Sequence, residues 1–413
     1  MAIVKPFKGV RPSRDKVALV SSKSYEAYTP EELSAKLAFN PFTFLHVVNP
    51  GYKYHHEDIS GEKRFKLVYN RYLEFKEDNI FTQDEQPSFY VYQKTKPNKT
   101  SYCGIISSVA ASDYHNNHVK IHERTLASRE LMFENYLKNT GFNPEPVLLT
   151  YPDNDVIESI IQKYQKQRAE YEFTSMDKDT HKLWVVDKAE DVQQIEDEFA
   201  KVETLYIADG HHRTTSSCLL AKHLAEQNPN HTGQEPYNFF MSYLLPSSQI
   251  SVFEFNRFVK TLNGLTPDEF LMELDTYFKI ENKGLSLYKP QKKHHFSMYL
   301  EGSFYELKLR KSAYKFTDSL SKLDAQILYK TVLQPILGID DIRNDSKIIY
   351  SQNKSDGLEL KTKVDSEGFE VSFGMFPTSV REIKQIVDDG LVMPPKTTYI
   401  EPKLRSGLIM YEL

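Results

Sequence analysis

Apolar and polar positions alternate with two periods along the chain, and the two periods interleave from end to end. Period-two or continuous apolar runs predict strands at KVALV (16–20), FTFLHVV (42–48), SFYVYQK (88–94), YCGIISSVAA (102–111), PVLLTY (146–151), KLWVV (182–186) and TLYIA (204–208). The runs at 88–94 and 102–111 are split by Lys-Pro-Asn-Lys and predict a hairpin. Helical spacing predicts helices at 126–141, with Gly141 near the end, and at 156–171, 189–202 and 214–227. TPEEL opens another helix, with Thr29 as cap, Pro30 at the first position and Glu32 closing a capping box.

The stretch NPNHTGQEP (228–236) is polar and turn-rich, and marks a seam between domains at 1–235 and 236–413. Beyond it, 238–245 and 250–259 predict strands, and 266–278 predicts a Thr-capped helix. Residues 294–310 predict a hairpin turning at Glu301-Gly302-Ser303. Helices at 323–337 and 379–389 flank a strand at 369–376, and a short strand ends the chain. The fold class expected is mixed α/β, with an α+β C-terminal half.

Composition narrows the function. A length of 413 residues suits two domains. The net charge of −5 argues against broad nucleic-acid binding. Cys103 and Cys218 each sit in an apolar run, which suggests a reducing compartment and no disulfide framework. The first residues lack the apolar core of a signal peptide, and no apolar run approaches the roughly 20 residues of a membrane span. The expectation is a cytoplasmic protein with a small-molecule partner, no nucleic acid and no membrane. Composition does not address its oligomeric state.

The densest chemistry lies in IADGHHRTTSS (207–217). Strand alternation before it and helical spacing after it place Asp209, Gly210, His211, His212 and Arg213 at a strand-to-helix junction. A helix start exposes unpaired N–H groups and the positive end of its dipole, which suits an anion. Gly210 permits close backbone approach, and Arg213 in the first turn can fork onto phosphate oxygens. The plainer alternative is that Asp209 caps the helix and the histidines face solvent. Zinc does not fit the spacing, because adjacent histidines on a regular helix diverge and no HExxH or CxxC accompanies them. His55-His56, His294-His295 and the turn-flanking His115 and His118 read as solvated histidines. In IHERT (121–125), Glu123 stands between a strand and a helix, where a carboxylate can accept a proton or simply favour the dipole. His122 beside it, and Lys396 after the stiff Pro394-Pro395, are further candidates for phosphate contacts.

The order of the HE motif, a helix, a Pro-containing strand and strand-DGHHR-helix resembles the free serine kinases of the ParB/sulfiredoxin fold. The whole chain resembles a bacterial family of that superfamily labelled a domain of unknown function. That resemblance is carried by KPFKGVRP, TFLHVV, KIHERT, YIADGHHRT, LNGLTPDEF, LQPILGI and MPPKTTYIEPKLRSGL. The resemblance to the kinases covers only about 120–224 and rests on two short motifs. It implies Glu123 as base on a substrate hydroxyl. It implies His212 as a partner in catalysis, with Asp209, Gly210, His211 and Arg213 around the phosphates of ATP or ADP. Mg²⁺ would accompany the nucleotide, with Asp209 as its candidate ligand. Sulfiredoxins carry Cys at the place of His211, so sulfinic-acid repair is not implied. ParB proteins carry Glu there and a helix-turn-helix that this chain lacks. The segment between the two motifs is longer than in the serine kinases, which points to an altered substrate. Where close members of the family carry Pro-Tyr-Asp, this chain has Tyr25-Glu26, which puts specificity or activity in question. The expected function is a nucleotide-dependent kinase of a small hydroxylated metabolite, serine first. The alternatives are a nucleotide-binding sensor and a non-catalytic scaffold.

Overall fold

The computed structural model describes residues 1–54, 59–352 and 357–413. The chain adopts the mixed α/β architecture expected, in two compact units. The first comprises residues 1–121, 125–250 and 402–413; the second comprises 122–124 and 251–401.

A nine-stranded sheet organises the first unit. Its strands are β1 (Val4–Lys5), β2 (Phe89–Thr95), β3 (Ser101–Ala110), β4 (Val119–Lys120), β5 (Val147–Tyr151), β6 (Tyr171–Thr174), β7 (Thr180–Val186), β8 (Leu205–Asp209) and β9 (Phe239–Pro246). They lie in the order β4-β8-β5-β9-β3-β2-β7-β6, with β1 also on β3. β8 runs parallel to β4, and β9 parallel to β5; the other pairs are antiparallel. The predicted hairpin is β2–β3, closed by Lys96 N–H donating to the Thr100 carbonyl at 2.8 Å.

One face of this sheet packs against α3 (Asp155–Gln165), α4 (Ala189–Phe199) and α5 (His211–Gln227), whose Ile157, Ile160, Ile195, Phe199, Cys218 and Ala221 join its core. A second cluster gathers Val20, Phe44, Val47 and Phe142 around Val68, Tyr72 and Phe75 of α1 (Gly61–Glu77), with Met410 of the C-terminal segment. The intervening helix α2 (Ala127–Thr140) ends at Gly141 in the left-handed region, as its sequence signals. The Thr29 capping box is present as read.

Two expected strands are helical turns. Val17–Val20 buries Val17 and Val20, three apart, and leaves Ala18 and Leu19 outward. Leu45–Val48 closes on itself through the Val48 N–H to the Phe44 carbonyl. A run of four or five apolar residues carries too little periodicity to separate the two states. The helix expected at 156–171 stops at Gln165, and Tyr171 opens β6, which pairs with β7.

The unit boundary falls at Ile250/Ser251 rather than near 235. The strand after the polar stretch, β9, is inserted between β3 and β5 of the first sheet, so it stays with that unit.

The second unit is built on a six-stranded antiparallel sheet. Its central strands are Phe255–Val259, His295–Leu300 and Val371–Met375. The expected hairpin turns at Glu301 and Gly302, both with positive φ. The single strand expected at 250–259 divides. Ser251–Phe253 pairs with Tyr399–Glu401, while Phe255–Val259 joins the six-stranded sheet.

Candidate functional site

In β8, alternation seats Leu205 and Ile207 in the core. Continued alternation would send Asp209 to the same face. The register against β5 shifts instead: Ile207 faces Leu149 and Asp209 faces Leu148, so Ala208 is an extra residue. This bulge reverses the parity and re-aims Asp209, leaving its carboxylate 35% exposed. Gly210 follows at φ 98° and ψ 29°, and α5 begins at His211. The junction expected from the sequence is therefore present, with both histidines and Arg213 inside the first helical turn.

Arg213 folds back over Gly210. A Cβ there would lie 3.2 Å from the guanidinium Nε and Nη2. Arg213 Nη1 donates to Glu145 Oε2 at 3.0 Å and to the Pro146 carbonyl at 2.9 Å, and Nη2 reaches Asp209 Oδ2 at 3.3 Å. The other Asp209 oxygen accepts from Lys403 Nζ at 2.7 Å. Glu145 also accepts from the Ser406 hydroxyl. Lys403 and Ser406 belong to the C-terminal segment, which is held by Lys94 Nζ on the Lys403 carbonyl and by a two-bond bridge between Ser406 and Ser22. His211 is buried, and its carbonyl accepts from the Thr215 hydroxyl; His212 is half-buried.

Lys403 and Arg213 thus balance Asp209 and Glu145, two charges of each sign, at the positive end of a 17-residue helix. Both cations are already engaged by Asp209, so an anion at this corner would have to compete with that carboxylate for them. For magnesium, the corner offers the carboxylates of Asp209 and Glu145, each already bonded to Arg213, and no three ligating side chains group together among the described residues. An ion here would take most of its oxygens from phosphate and water.

The other candidates belong to the second unit. His122 is buried, and its carbonyl accepts from the Met393 N–H at 3.0 Å. Glu123 is half-buried in the non-helical link, and the Arg124 carbonyl accepts from Arg343. Lys396 is exposed, at φ 54°, with its ammonium 5.6 Å from the Phe255 ring centre. His294 and His295 are not simply solvated: they pair with Asp324 and Glu306, each at 3.0 Å. Asn117, between His115 and His118, has the positive φ of the expected turn. His55 and His56 lie outside the described residues.

Sequence reasoning missed Glu145 and Lys403. Lys403 stands in a quoted stretch, but nothing in the spacing of MPPKTTYIEPK distinguishes it from Lys396, and Glu145 lies just before the strand read at 146–151.

The model of the family described as "Protein of unknown function (DUF1015)" matches residues 4–326. No curated protein matches. Among solved structures, C-terminally truncated SbnI from Staphylococcus aureus is similar over 73% of this chain and 84% of its own, at 12% identity and a TM-score of 0.38. A free serine kinase variant in complex with AMP is similar over 72% and 88%, at 13% identity and 0.37. A conserved hypothetical protein from Pyrococcus furiosus is similar over 72% and 90%, at 13% identity and 0.34. Likenesses of that degree say nothing of what this chain binds.

Proposed function

Because the chain belongs to the DUF1015 family, whose function is unknown, we propose a function from its own residues: a nucleotide-dependent kinase acting on the hydroxyl of a small metabolite. The observation that carries the proposal is the convergence of Lys403 and Arg213 on Asp209 at the N-terminus of α5. Phosphoryl transfer asks mainly for positioning and charge neutralisation, and this corner supplies a helix N-terminus, two cations and two imidazoles. The phosphates of ATP or ADP take over Lys403 and Arg213 from Asp209, which becomes available to an accompanying Mg²⁺. His212, in the first helical turn, contacts the transferred group. The base is assigned to Glu123 by its HE motif, in keeping with the resemblance to the ParB/sulfiredoxin-fold serine kinases.

The test is a screen of small hydroxylated metabolites, serine first, for phosphate transfer from labelled ATP and ADP. Arg213→Ala should weaken nucleotide binding by about 1.5–3 kcal/mol, the scale of a hydrogen bond to a charged group. Glu123→Gln should keep nucleotide binding and lower transfer by roughly 10²–10⁴-fold. Full transfer by Glu123→Gln removes the base assignment. Saturable nucleotide binding without transfer to any metabolite favours the second reading, a ligand sensor, which needs the DGHHR corner and no base.

A further inference from the structure

The second unit carries an open cleft of about 340 Å³, lined by none of the residues of the kinase reading. One wall is the loop at 314–321, beyond the hairpin. The other is the helix Asp324–Leu328 with its continuation as a π turn, Tyr329–Leu333. Gln326 and Lys330, four apart, line the cleft from that side; Tyr314, Lys315 and Leu320 line it from the loop. π turns recur at functional sites.

The two walls are fixed to each other. Asp324 is buried at the start of the helix, and it accepts from the His294 backbone N–H and pairs with His294 Nδ1, each at 3.0 Å. The His294 ring stacks on Phe316 of the loop, with ring centres 5.0 Å apart, and Phe316 meets Tyr314 edge-on at 5.8 Å. Asp318 also lines the cleft, but its carboxylate is spent closing the loop. It accepts from the Ser321 N–H at 2.7 Å and from the Thr317 hydroxyl at 3.3 Å, while the Ser321 hydroxyl donates to the Asp318 carbonyl at 2.8 Å.

The donors on the cleft are largely unspent. Among the described residues, Lys315 makes no hydrogen bond or ion pair, and the Tyr314 hydroxyl and the Gln326 amide have no partner. Lys330 Nζ donates once, to Gln334 Oε1 at 3.0 Å, and keeps two protons. Burial first, and then the charge of Asp318, raise the Tyr314 phenol above its usual value, so it keeps its proton and donates.

Two ammonium groups against one carboxylate leave the cleft positive. A carboxylate has two oxygens and suits the planar fork of an arginine, and no arginine lines the cleft among the described residues. A phosphate monoester offers three terminal oxygens in a tetrahedral array, which suits point-charge ammonium donors with a phenol and an amide beside them. The volume is well above the roughly 30 Å³ share of one water, and it falls within the range of about 300–1,000 Å³ typical of small-molecule sites. Leu320 and the Tyr314 ring supply apolar surface for an organic group.

We propose that this cleft binds a small organic phosphate monoester, with its phosphoryl oxygens held by Lys315, Lys330, Tyr314 and Gln326 and its organic group against Leu320 and the Tyr314 ring. The site is independent of the kinase reading, which uses none of these residues.

The experiment titrates phenyl phosphate calorimetrically into the full chain as Arg213→Ala, which removes the guanidinium that the DGHHR corner would offer a phosphate. Saturable binding is expected. Adding Lys315→Gln and Lys330→Gln, both at exposed positions, should weaken it at least about tenfold, the least that losing a hydrogen bond to a charged group costs. Phenol, and sodium chloride at equal ionic strength, should give no saturable heat. Absence of saturable binding, or an affinity that survives loss of both lysines, overturns the site. Phenylacetate binding more tightly than phenyl phosphate overturns the phosphate assignment. Inorganic phosphate should bind more weakly than phenyl phosphate; equal affinity removes the organic group from the assignment. The wild-type chain with and without the two lysine changes should show the same loss, which keeps the test decisive if Arg213→Ala does not fold.

Discussion

His181 shows how much a single residue depends on its surroundings. Unfolded, its imidazole titrates near the usual value of about 6.5; folded, burial and the neighbouring cations move it to about 3. Between those two values the unfolded chain binds a proton that the folded chain refuses. Stability therefore falls as pH drops below about 6.5, and this residue's share of the loss continues down to about 3. That share is about 1.4 kcal/mol per pH unit. Urea unfolding of the wild type and His181→Gln between pH 7 and pH 5 should show the shallower dependence in the variant; equal slopes would refute the neutral buried state. Nothing in THKLWVV (180–186) announces this histidine, because its burial comes from Phe173 and Tyr92 on other strands. Asp209, by contrast, was legible as a junction residue. Its exposure rests on the Ala208 bulge, which depends on the register with β5.

At the level of elements, the strand–glycine–helix junction is the most demanding local structure. Gly210 has φ 98°, and a Cβ would press on the Arg213 guanidinium. Gly210→Ala should cost about 1–3 kcal/mol of stability, the range for strained backbone, and should weaken nucleotide binding by displacing Arg213. Gly141→Ala is the control: φ is 71°, but nothing lies within 4 Å of the added methyl. It should lower stability and leave nucleotide affinity unchanged. Denaturation midpoints and calorimetric titration of both variants decide this; equal nucleotide affinity in the two would contradict it. Helices with caps were legible in the sequence, as the box at Thr29 and the cap at Thr266 show; the box at Ser379 came from the structure. The turns at Val17–Val20 and Leu45–Val48 were not, because in such short runs tertiary burial decides between helix and strand.

At the scale of the whole molecule, each unit carries its own buried electrostatics. In the second, burial by itself would raise the Glu306 carboxyl. Hydrogen bonds from Tyr288, Lys283, His295 and Lys308 override that and hold it at about 2. The folded value lies below the unfolded one, so this stabilisation is present above about pH 4.5 and is lost as pH falls towards 2. Glu306→Gln should be less stable than the wild type at pH 7, and the gap should narrow as pH approaches 2. A gap that stays constant across that range, read by chemical denaturation, would exclude this role.

By itself, the sequence determined the α/β class, most of the strands and capped helices, and the strand-to-helix placement of DGHHR. These depend on periodicity and end signals within about fifteen neighbouring residues. Only the tertiary structure decided that β9 belongs to the first unit, that Lys403 rather than Lys396 pairs with Asp209, and that Arg213 is shared with Glu145. Each of these joins residues tens to hundreds of positions apart. Sheet order and ion pairing at such separations follow from which surfaces can be buried together, and local pattern carries no record of that choice.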